Sequence, residues 1–184
     1  ELISKILLNV TWLDSVFSKE VKLNQLLQER KIIASLHLTK SGEYDYLFVL
    51  DLSKTPPPDL EIIFNQLNIP SEKREYEQTN IFELKNIPLV LSYKNGLLLA
   101  SKTAFLVEDA LLQLKDKNSI LKDKSFLKVK ELSTKNADCS LYINYQNLPL
   151  LASVYAEQAY QPILEKLKET IDRVAPTDAR VLIT

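Results

Sequence analysis

The stretch LVLSYKNGLLLASKTAFLVEDALLQL, residues 89–114, decides how this chain folds. Asn95-Gly96 stands between two apolar runs, the signature of a two-residue hairpin turn of type I′. With that turn as the hinge, Tyr93 pairs with Leu98 and Leu91 with Ala100, giving one wholly apolar face. The other face pairs Lys94 with Leu97 and Ser92 with Leu99; it is mixed and reads as half covered. Thr103 is placed to cap a helix whose inward stripe is Val107, Ala110, Leu111 and Leu114. Strand, tight turn, strand and helix thus follow within one short stretch.

The same pattern occurs upstream. KIIASLHLTKSGEYDYLFVLDL alternates with period 2 and predicts a hairpin looped at Ser41, Gly42 and Glu43. That loop sets Leu38 against Tyr46, Leu36 against Phe48 and Ala34 against Leu50. TPPPDLEIIFNQLNIP follows as a helix with prolines before it, Leu60, Ile63, Phe64 and Leu67 inward, and Pro70 after its end. REYEQTNIFELK reads as two short strands joined near Thr79-Asn80, polar enough to lie at a sheet edge. At the front, 1–17 is a helix with Ile3, Ile6, Leu7, Val10 and Phe17 on one stripe, and 19–29 is a second. Downstream come a short helix near 125–132, a strand in ADCSLYINY and a helix capped by Asn147. A last helix after Pro162 and a closing strand in ARVLIT complete the order. Hairpins dominate and helices come in clusters. The expected fold is α+β, a largely antiparallel sheet built from hairpins at about 31–52 and 73–102 with clustered helices packed on it. A single domain over 1–184, itself a piece of a longer chain, is the expected organisation.

Composition narrows the function classes. The 184 residues are 46% hydrophobic and 26% charged, ordinary for a packed domain, and 23 basic against 24 acidic residues give no polyanion-binding signature. Nucleic acid is therefore not an expected partner, and no apolar run approaches the ~18 residues of a membrane span. Any membrane association would come from an anchor outside this sequence. The chain has only two glycines, Gly42 and Gly96, far apart. A phosphate-binding loop or dinucleotide fingerprint needs two within a few residues, so both are excluded. One Cys and one His exclude an internal disulfide and a soft-metal ligand set, and no calcium loop of the D-x-[DN]-x-[DN]-G kind occurs. No cofactor is expected.

The remaining candidates are single residues. His37 titrates near neutrality and offers a general base, with Ser35 and Thr39 beside it on a strand; half-exposed strand histidine is the simpler reading. Cys139 alternates with Leu141 and Ile143 and reads as a small buried residue more readily than as a nucleophile paired with His37. Asp14, Asp45, Asp51 and Asp59 read as isolated turn, edge or cap residues. Residues 115–131 hold six lysines against three acids, a solvated connection. Asn9-Val10-Thr11 matches a glycosylation sequon but falls within an expected helix.

The segments REYEQTNIFEL, LVLSYKNGLLLASKTAFLVEDALLQL, SFLKVKEL and ADCSLYINYQNLPLL resemble an uncharacterised family of bacterial cell-envelope proteins, seen in Bacteroidetes-type lipoproteins. The front segment LLQERKIIASLHLTKSGEYDYLFVL is similar too. The resemblance implies an extracytoplasmic, membrane-tethered setting in the envelope or periplasm, and no assigned activity. Together with the missing catalytic parts, it points to a non-catalytic binding or scaffolding domain with a protein or envelope component as partner. The mixed face of Lys94, Leu97 and Leu99, with Tyr142 and Tyr145, is the expected interaction surface. The alternatives are a carrier of lipid or another apolar ligand, and a hydrolase-type enzyme using His37.

Overall fold

The computed structural model describes residues 31–40, 43–116, 119–131 and 141–144, with 149, 162–163, 165–166, 169–170 and 180–183. The two helices expected over 1–29, the sequon at Asn9, Ser41-Gly42, Cys139, Tyr145 and, apart from helical Pro149, the helix expected after Asn147 lie outside the described residues. The chain divides into two compact units, one of 1–39 with 44–115 and one of 40–43 with 116–184.

In the first unit, strands β1 (Ile32–Lys40), β2 (Glu43–Asp51), β3 (Ser71–Tyr76), β4 (Thr79–Leu84), β5 (Leu89–Lys94) and β6 (Leu97–Ser101) form one sheet. Its spatial order is β1-β2-β6-β5-β4-β3, and the pairs from β2 across to β3 are antiparallel. The β5–β6 register is the one the Asn-Gly turn dictates: Tyr93 opposite Leu98, Leu91 opposite Ala100, Ser92 opposite Leu99. Asn95 and Gly96 take φ of 53° and 82°, both positive as type I′ requires.

Two details of the hairpins differ from expectation. The β3–β4 turn is at Glu77-Gln78, not Thr79-Asn80, and both turn residues have positive φ, 48° and 57°. Neither residue type favours that region, so nothing local in the sequence announced the turn. In the first hairpin, Glu43 opens β2 instead of sitting in the loop. Asp51 N donates to Lys31 O at 3.2 Å and Ser35 Oγ to Leu47 O at 3.4 Å.

One helix covers each face of the sheet. Helix α1 (Leu60–Gln66) starts at Asp59, whose carboxylate accepts from Ile62 N at 3.0 Å. It stops in a Schellman arrangement: Ile69 N donates to Phe64 O, Asn68 N to Asn65 O, and Asn68 holds φ at 52°. Leu60 and Phe64 pack on Leu50, Phe82, Leu84, Leu91, Leu98 and Ala100. Helix α2 (Ala104–Asp116) lays Leu106, Val107 and Leu111 on the opposite face, against Leu47, Ile81, Val90 and Leu99. A sheet apolar on both faces needs a cover on both, and the β1–β2 and β5–β6 hairpins are each followed by the helix that supplies one.

In the second unit, a 3₁₀ turn (Ile120–Lys122) capped by Ser119 leads to α3 (Lys124–Glu131), whose first turn is capped by the Asp123 carboxylate accepting from Phe126 N at 3.1 Å. Strands β7 (Leu141–Asn144) and β8 (Arg180–Ile183) pair antiparallel as a separate two-stranded sheet, and α3 lies beside β8. Residues 162–163, 165–166 and 169–170 are helical, where the last helix was expected.

Candidate functional site

Three places in the first unit gather chemistry. The first is a hydroxyl and carboxylate cluster on the α2 side of the sheet. Asp45 on β2 accepts from Tyr46 N at 2.8 Å, from Ser101 Oγ at 3.2 Å and from Thr103 Oγ1 at 2.7 Å. Thr103 stands immediately before α2, as a cap should, but its hydroxyl proton crosses to Asp45; Thr103 N in turn donates to Ser101 Oγ at 3.1 Å. The cluster therefore ties the start of α2 to β2. On neighbouring β1, Ser35 Oγ and His37 Nε2 lie 2.7 Å apart. Burial holds the His37 pKa below its ordinary value, and Asp109 and Asp45 pull it partly back up. His37 is thus a neutral imidazole at pH 7.

A Ser–His contact suggests a nucleophile and its base, but the third group is not assembled here. Asp45 spends its oxygens on Tyr46 N, Ser101 and Thr103, and among the described residues His37 hydrogen-bonds to Ser35 alone. Ser35 has one proton to give, with His37 Nε2 and Leu47 O both within its reach. The second imidazole nitrogen has no hydrogen-bond partner among the described residues. Among the described residues no group of three or more His, Cys, Asp or Glu side chains is arranged to hold a metal ion.

The second place is a cleft of about 560 Å³ where the β3–β4 turn and the end of β5 meet the start of α1. Pro57, Pro58, Phe82 and Tyr93 supply its apolar wall, and Lys73, Gln78, Thr79, Asn80 and Lys94 its polar one. Lys73 pairs with Glu61 at 2.6 Å and sits 5.8 Å over the Phe82 ring; Lys94 Nζ donates to Glu77 O at 3.2 Å.

The third is the pair of sheet edges, which differ sharply. Edge strand β3, SEKREY, is protected by charge. Arg74 bridges Glu83, at 2.6 Å, and Glu108 on α2; Lys73 bridges Glu61, and Lys85 faces Glu72 at 4.0 Å. Edge strand β1 carries no charge from Ile32 to Thr39, and Ile32 and Ile33 are 52% and 63% exposed. Among the described residues nothing pairs with its outer side.

The expected surface is only partly present. Leu99 is 1% exposed and buried under α2, so it is removed from that surface: the mixed face is covered by this chain's own helix. Lys94 and Leu97 remain half-buried at the end of the same face. Tyr142 is exposed but belongs to the second unit, where its ring lies 5.1 Å from that of Phe126. The apolar faces of β2, β4, β5 and β6, where a carrier would place an apolar cavity, are packed against α1 and α2. Sequence reading missed the Asp45 cluster because its members are 56 and 58 positions apart. It missed the cleft because the turn that lines it was misplaced. No protein-family model matches the chain, and neither a curated protein nor a solved structure matches it. Among the described residues no helix is long and apolar enough to cross a membrane.

Proposed function

We propose that this chain is a non-catalytic binding domain that takes up its protein partner as an added strand along β1. The observation that carries the reading is the contrast between the two edges. Charge and ion pairs guard β3, whereas β1 presents nine residues with a single charge, at Lys40, and two exposed isoleucines at its start. An unguarded edge is a liability that folded domains keep only when it is used or covered. The cell-envelope setting we assign it, outside the cytoplasm, rests on the resemblance of its hairpin and helix motifs. That His37 hydrogen-bonds, among the described residues, to Ser35 alone supports a binding role over a hydrolytic one.

The ladder chemistry supplies the test. Lys31 bonds to Asp51, and alternation from that bond turns the backbone groups of Ile33 toward β2 and those of Ala34 outward. Ala34→Pro therefore removes an outward donor while sparing the β1–β2 ladder. Displayed random peptides selected on the protein should bind the wild type and lose the Ala34→Pro and Ile33→Lys variants, and bound peptide should slow amide exchange at 32–40. Peptides that bind Ala34→Pro equally well, or that protect another segment, refute the proposal.

A further inference from the structure

The cleft beside α1 carries an inference independent of the β1 edge: we infer that it is a binding site for a neutral, polyhydroxylated ligand, a mono- or disaccharide. Its volume of about 560 Å³ falls within the ~300–1,000 Å³ typical of small-molecule clefts. What selects the ligand class is which of its polar groups are already committed. Asp59 is engaged by Ile62 N, Glu61 and Lys73 satisfy one another, and Lys94 donates to a backbone carbonyl. The charged groups at the rim thus have partners and do not call for a charged ligand. The Gln78 and Asn80 side-chain amides and the Tyr93 hydroxyl make no hydrogen bond to another described residue. Each amide offers a donor and an acceptor from one plane, which suits vicinal hydroxyls. Half-buried Tyr93 gives the aromatic surface against which the C–H face of a sugar ring packs.

The backbone adds a second, separate observation. Gln78 is held at φ 57° and Glu77 at 48°, whereas this chain's other tight hairpin uses Asn-Gly for the same turn. Strained backbone of this kind collects at functional sites, and here it fixes Gln78 at the mouth of the cleft. An extended peptide fits less well. Of the strands lining the cleft, β4 and β5 are internal and already paired on both sides, and edge strand β3 reaches it only through Lys73, which is paired with Glu61.

The experiment is a titration of the isotope-labelled chain with glucose, N-acetylglucosamine, cellobiose and chitobiose, read by NMR, with a neutral Gly/Pro peptide in parallel. We expect saturable shifts of the Gln78 and Asn80 side-chain amides with at least one sugar. Gln78→Ala and Asn80→Ala should each weaken binding about fivefold, one neutral hydrogen bond's worth. Gln78→Gly separates binding from folding: relieving the positive φ should raise the melting temperature while affinity falls. The inference is overturned if no sugar gives saturable shifts, if the shifts survive in the Gln78→Ala/Asn80→Ala double variant with its fold intact, or if the peptide alone binds. The site shares no residue with β1, so either proposal can fail without the other.

Discussion

Replacing Gly96 by alanine tests whether the Asn-Gly turn is fixed by its backbone alone or also by what it rests on. Gly96 sits at φ +82°, and a Cβ built there lies 2.9 Å from both Cα and Cβ of Ser53. The two segments are tied, because Leu52 N donates to Gly96 O at 2.7 Å. An L-residue in the left-handed region costs about 1 kcal/mol, and forcing a methyl into a packed contact costs about 1–3 kcal/mol. If Ser53 retreats, the Leu52–Gly96 hydrogen bond goes with it, for roughly another 1 kcal/mol. Gly96→Ala should therefore lose roughly 3–5 kcal/mol, a large share of the ~5–15 kcal/mol that holds a domain together. Urea unfolding followed by circular dichroism, with amide exchange to localise the loss to β5 and β6, measures it. Gly96→Asn is the control: asparagine tolerates the positive φ but carries the same Cβ, so it should still lose roughly 2–4 kcal/mol. If Gly96→Ala stays within ~0.5 kcal/mol of wild type, or Gly96→Asn is neutral, the contact with Ser53 yields freely and the reasoning is wrong.

Other expectations follow from the same packing. Leu99→Ala should cost about 3 kcal/mol in urea unfolding, because Leu99 is 1% exposed beneath α2; a loss under ~0.5 kcal/mol would return it to the surface. Asp45→Ala strips the acceptor from Ser101 and Thr103 and should cost roughly 2–3 kcal/mol, with amide protection lost first at the start of α2. The folded-state pKa of His37 is lowered from 6.5, so the unfolded chain binds its proton first as pH falls. Stability should then be insensitive to His37 above about pH 6.5 and decline below it, and His37→Gln should flatten that part of the profile; an unchanged slope contradicts the assignment. Arg74→Ala should cost only about 1 kcal/mol, since the side chain is partly exposed, while making aggregation through the β3 edge measurable by light scattering.

The features legible in the sequence were those set within a few residues. Asn95-Gly96 gave its register because only one turn type suits that pair, and the prolines before α1 and Pro70 after it marked the ends of that helix. Glu77-Gln78 was illegible because its conformation is imposed from outside the turn: Lys115 on α2 reaches Glu77 Oε2 at 2.7 Å, and Lys94 and Thr79 bond to the Glu77 carbonyl. Leu99 was misjudged for a related reason. Alternation tells which residues share a face of a sheet, but not that the helix following the hairpin will fold back over it. The Asp45 cluster joins one strand to residues far along the chain, and no spacing rule reaches that distance.

The unequal edges of the sheet also set how many strands can be added. A sheet with two bare edges can extend from both sides and propagates as a fibre. Under the proposed strand addition, the Arg74 ion pairs close one side and β1 is the edge left unpaired among the described residues, so the sheet would accept a single strand and then have nowhere to grow. Even pairing of two copies through β1 would end in a closed twofold dimer with a charged edge at either end. On that proposal the domain would have a valence of one, which allows an exposed strand to be used for binding without becoming a seed for polymerisation.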